Sequence, residues 1–80
     1  MEEIEVTARF DSQGKIIPLE FVQQGCIHKV ESIGRSWQAA DGYHILVMDT
    51  KNQPFHLVYQ PEKSRWYLLI IGDVPFVARV

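Results

Sequence analysis

The side chains with the most chemistry to offer are three histidines, His28, His44 and His56, and the single cysteine, Cys26. Imidazole and thiolate bind zinc and the late first-row metals, and a paired cysteine and histidine can make a nucleophile. The spacing argues against both uses. No His-x-His or His-x₃-His pair occurs, and no carboxylate adjoins a histidine in sequence. If Asp49 pairs with Pro54 across a hairpin, His44 falls opposite Tyr59 and His56 opposite Val47. The two rings then lie on opposite faces and cannot share an ion. A loop one residue longer or shorter would put them on the same face, because side chains alternate along a strand. Cys26 and His28 share a strand face, but no third orienting group or oxyanion donor marks a thiol enzyme. A half-buried structural thiol is the expectation. The glycines are isolated at turns, with no phosphate cradle, and no carboxylate pair stands out as acid and base. The expectation is a protein without catalytic residues, metal or cofactor.

Binding is the other use of such a sequence. Trp37, Tyr43, Tyr59, Trp66 and Tyr67 could stack on bases, as barrel proteins do with single-stranded nucleic acid. Such platforms work beside basic side chains, and only Arg35, Lys63 and Arg65 are near. The formal net charge is −2, with scattered lysines and arginines, so phosphate neutralisation gains nothing from composition. The candidate surface is therefore Trp37, Trp66 and Tyr67, with Arg35 and Arg65 at its rim. It would serve a non-catalytic interaction module first and a nucleic-acid binder second.

Short strands must position these residues. Ile4, Val6, Ala8 and Phe10 alternate with Glu5, Thr7 and Arg9, which is a half-buried strand. Asp11 to Lys15 is a turn. Ile16 to Val22 resumes extended, and Pro18 makes that run an edge strand or a bulge. Gln23-Gln24-Gly25 punctuates. Cys26 to about Ile33 reads as a bulged strand followed by a loop; a helix through Val30, Ile33 and Trp37 is disfavoured by Gly34 and Ser36. Ala39 to Gly42 is a turn. Tyr43 to Met48 and Phe55 to Tyr59 form a hairpin in which Asn52 can take the left-handed conformation. Gln60 to Ser64 turns. Trp66 to Ile71 is apolar on both faces, Gly72-Asp73 turns, and Pro75 to Val80 makes a short final strand. No helical stripe, repeat or linker is present. The fold class is all-β, a small antiparallel barrel or strongly curved sheet of SH3-like size, with about five to seven short strands.

Eighty residues hold one domain with a thin stability margin, and one cysteine permits no internal disulfide. An apolar content of 46% and an aromatic content of 11% of the chain supply an ordinary core. The two-sided apolar strand Trp66 to Ile71 needs its outer face covered, either by self-association or a protein partner or by deep burial within a sandwich. The Met1-Glu2-Glu3 start lacks the basic, apolar pattern of a secretory signal, and no run is long enough to span a bilayer. A cytoplasmic location is expected.

The polar glycine turn followed by Pro18, Phe21, Val30, Ile33, Trp37, Tyr43, Val47, Phe55, Leu57, Tyr59 and Trp66 resembles a small bacterial β domain. That domain has no assigned activity and occurs as short standalone proteins. A related stretch forms the C-terminal region of the catalytically inactive Y-family polymerase-like proteins of the bacterial mutasome. The resemblance runs from about Phe10 to Leu69. It implies no catalytic residues, and it implies an accessory role near DNA repair. Where members of that family carry paired tyrosines and more basic residues, this chain has Tyr43-His44 and a lone Arg35.

Overall fold

The computed structural model describes residues 1–69. Six strands follow in order: β1 (Glu2–Phe10), β2 (Ile16–Gln23), β3 (Cys26–Ala39), β4 (Gly42–Asp49), β5 (Pro54–Gln60) and β6 (Arg65–Leu69). Each is antiparallel to the next, and β6 returns to β1, closing a barrel. The expected final strand, the Gly72-Asp73 turn, and Ile70 and Ile71 lie outside the described residues.

Local chemistry explains the connections. Gln24 and Gly25 both have positive φ, 52° and 80°, the signature of a two-residue turn whose twist matches its flanking strands. The Asp49 carboxylate accepts the backbone N–H groups of Lys51 and Gln53, both at 2.9 Å, and Asn52 is left-handed at φ 64°. This turn closes Asp49 on Gln53, so Met48 pairs with Pro54 and His44 with Val58. The expected pairing of Asp49 with Pro54 is therefore one residue out. An Asx-type turn with a left-handed third residue makes a shorter loop than the one assumed.

Alternation places Ile4, Ile16, Phe21, Ile45, Val47, Leu57, Trp66 and Leu68 inside. Phe21 and Leu57 are fully buried, each contributing on the order of 2–3 kcal/mol by leaving water. Pro18 does mark a bulge: Thr7 faces Glu20 while Ala8 faces Pro18, leaving Leu19 extra. Two expectations need correction. β3 does not give way to a loop after Ile33; it runs on to Ala39, with irregularities between Val30 and Ser32 and between Ile33 and Ser36. Those bulges let one strand bend between two sheets. Second, the described part of the Trp66 strand alternates after all, with Trp66 and Leu68 buried and Tyr67 and Leu69 half-buried.

The bend in β3 shapes the wall. β2 and β3 pair only over Glu20–Gln23 and Cys26–Lys29. Beyond that, residues 16–18 of β2 pair with β1, and residues 32–39 of β3 pair with β4. The two strands diverge and leave an opening.

Candidate functional site

The one-residue difference in register brings His44 and His56 to the same outer face. Their rings meet, with His44 Nδ1 2.8 Å from His56 Nε2. On its other side, His44 Nε2 lies 2.7 Å from Asp41 Oδ1. With Asp41 ionised, its carboxylate accepts the Nε2–H of His44. The Nδ1 of the neutral His44 ring then accepts the Nε2–H of His56. The bond from His44 Nε2 holds the Asp41 carboxyl below its ordinary range. Burial pushes the His56 imidazole down, and a positive charge on the adjoining His44 ring, when present, adds to that shift. The chain of bonds uses different nitrogens of His44, so no three ligands point at one spot. Among the described residues no group of three or more histidine, cysteine or acidic side chains could hold a metal ion.

Trp37 closes over this pair. Its indole stacks on His44 at 5.1 Å and meets His56 edge-on at 5.4 Å. The guanidinium carbon of Arg35 lies 5.0 Å from the centre of the indole ring. Along the same row, His44 pairs with Val58 and Val58 with Tyr67. Val58 is fully buried although it points away from the barrel core. Gly42 makes that possible: a Cβ there would sit 2.9 Å from a Val58 methyl and 2.7 Å from the Tyr59 carbonyl oxygen. Over Val58, then, this chain covers the outer face of its own sheet.

The five candidate surface residues do not stay together. Trp37 and Tyr67 are on the outer face and half-buried. Arg35 is exposed at the edge of Trp37. Trp66 is buried at 8% exposure and packs against Tyr59; as the neighbour of an outward tyrosine it must point inward. It is no part of an outer surface. Arg65 is exposed but paired with the Glu3 carboxylate, which reaches it diagonally from the adjoining strand, where Glu3 is opposite Tyr67.

Cys26 and His28 keep the same strand face, in unbroken register with Gln23 and Phe21, but their surroundings differ. His28 stacks on Phe21 at 5.0 Å, and its Nδ1 lies 3.2 Å from Asp49 Oδ2. Burial raises the Asp49 carboxyl, but the N–H groups of Gln53 and Lys51 and the His28 ring outweigh it and hold it low. Cys26 is exposed at the turn rather than half-buried, because the tight Gln24-Gly25 turn leaves it at the rim.

The opening between β2 and β3 was not expected from the sequence. Ile33 pairs with Val47 and so lies on the core face, yet it is 41% exposed. A recess of about 230 Å³ is lined by Ile16, Ile17, Ile33, Gly34, Ser36, Tyr43 and Ile45, with Lys15 at its rim. A second, of about 350 Å³, shares Lys15, Ile16 and Tyr43 and adds Phe10, Gln38, Tyr59 and Pro61. The Tyr43 hydroxyl donates to Ser36 Oγ at 3.1 Å. Phe10 is 63% exposed, a large apolar ring held in water at the mouth. The sequence signal was there in part: Phe10 ends an alternating strand on its inward face, next to a polar turn that cannot cover it.

Comparison with family models, with curated proteins and with solved structures finds no match to this chain. Among the described residues, no helix is long and apolar enough to cross a membrane.

Proposed function

We propose that this chain is a non-catalytic interaction module that binds another protein through the opening between β2 and the second half of β3. One observation carries this: Ile33 occupies a core-facing position and is 41% exposed. Exposed apolar surface in a recess marks an interaction site more often than scattered surface residues do. Small-molecule and cofactor sites run to about 300–1,000 Å³ and enclose their ligand. The recesses here, about 230 and 350 Å³, lie below or near the lower end of that range and open to the surface, which suits side chains projecting from a larger partner. Ser36 lines one of them, but no histidine, cysteine or carboxylate lines either recess to activate it or to hold a metal. The resemblance from Phe10 to Leu69 adds that the partner would belong to DNA-repair machinery.

A second function, stacking on single-stranded nucleic acid, draws on the Arg35–Trp37 contact. It is left with fewer residues, because Trp66 is buried and Arg65 is paired with Glu3.

Selection of peptide ligands from a random displayed library, followed by methyl NMR of the isoleucines, tests the proposal. Shifts at Ile16, Ile17 and Ile33 support it. Ligands that move Trp37 and Tyr67 instead, or a selection that returns none, contradict it.

A further inference from the structure

We infer that the occupant of this opening is an extended, proline-rich segment carrying an acidic residue; the inference rests on the opening being the binding surface. Three features of the opening select that chemistry. First, its strand edges are poorly suited to adding another strand. Pro18 removes a donor from β2, and β3 is irregular between Val30 and Ser32 and between Ile33 and Ser36, the kind of bulge that blunts an edge. Only Ser36–Ala39 keeps a regular register there, which is short for a partner that needs a long ladder of backbone hydrogen bonds. A polyproline II segment needs no such ladder, because it has no internal hydrogen bonds and few N–H groups to satisfy.

Second, the lining is aromatic and aliphatic where such a segment would lie. Phe10, Tyr43, Tyr59 and Pro61 line one recess, and Ile16 is shared with the next. Aromatic-lined grooves recognise proline-rich segments because the rings pack on flat pyrrolidines whose conformation is already set. The carbonyls of such a segment point outward as acceptors. Gln38 and Tyr59 bring an amide and a hydroxyl to the same lining.

Third, the charge is one-signed. Lys15 lines both recesses, and no carboxylate lines either. The nearest acid in sequence, Asp11, is engaged: its carboxylate accepts the N–H groups of Gln13 and Lys15, both at 2.9 Å. An acidic side chain at the end of the bound segment would meet Lys15 uncontested.

The test uses the full chain and three synthetic peptides of equal length. One alternates proline with leucine and carries a single glutamate, one has glutamine in place of that glutamate, and one is a valine-rich strand former without proline. Binding is read by fluorescence anisotropy, and the site by amide and methyl NMR. The expected result is saturable binding of the glutamate peptide with shifts at Phe10, Ile16, Gln38, Tyr43 and Tyr59. Phe10→Ala, at an exposed position, weakens it about tenfold. Lys15→Gln weakens the glutamate peptide about fivefold and leaves the glutamine peptide unchanged. Preferential binding of the valine-rich peptide along residues 32–39 overturns the proline-rich occupant and leaves the interaction module standing. Dimerisation that protects the same residues from every peptide also overturns it, in favour of a second copy. Shifts confined to Trp37 and Tyr67, or no binding of any peptide, overturn both.

Discussion

Two parts of this barrel wall face the same physical problem and solve it differently. On the outside of β4 and β5, Val58 and two histidines would be exposed, and the chain lays Trp37 against the histidines and sets Tyr67 beside Val58. Between β2 and β3, Ile33 and Phe10 would also gain from cover, and the described residues provide none. The difference traces to β3. Its two bulges swing its second half away from β2 and onto β4, which lays Trp37 over His44 and, by the same movement, opens the wall beside Ile33. One bend makes both features. Covered surface contributes to folding, and uncovered apolar surface is available to a partner.

The comparison breaks most readily at Gly42. An alanine there would need φ near +140° and would drive its Cβ into the Tyr59 carbonyl and a Val58 methyl. Gly42→Ala should destabilise the chain by about 3 kcal/mol or more in denaturant unfolding. A neutral result would mean that the covered face is loosely packed. Trp37→Ala comes next. The ring is half-buried against two imidazoles, and its loss should cost about 2 kcal/mol, below the figure for a fully buried aromatic.

A pH series sharpens the contrast further. Burial holds His56 below its ordinary value of 6.5, so the unfolded chain binds the proton more readily than the folded one. Its contribution to stability is complete above pH 6.5 and is lost as the pH falls below that value. Wild type should lose stability on that descent, whereas His56→Gln should show a flatter profile over the same range. Equal slopes would mean that the ring is not held neutral by the fold.

The smallest stability effect belongs to the open side. Phe10→Ser should change stability by no more than about 0.5 kcal/mol, since the ring is 63% exposed.

Much of the barrel could be read from residues alone. The alternation of Ile4, Val6, Ala8 and Phe10 gives β1, Pro18 gives its bulge, and Gln24-Gly25 and Asn52 give their turns, because each signal is local. The candidate surface was harder. Whether Trp66 or Tyr67 faces inward depends on the register of β6 against β5, which no local signal specifies. His44 and His56 depended on one residue of loop length, and the shorter loop follows from an Asp49 side chain that mimics a backbone turn. The opening depended on where β2 and β3 separate, a tertiary property of two bulges.

The most direct test is a crossed measurement on Trp37→Ala and Phe10→Ser, scoring both unfolding stability and affinity for a library-selected peptide ligand. The account predicts a double dissociation: the Trp37 variant loses stability and keeps the ligand, and the Phe10 variant keeps stability and loses the ligand. Loss of binding in the Trp37 variant while it is still folded, with binding intact in the Phe10 variant, would place the interaction surface on the covered face and contradict the account.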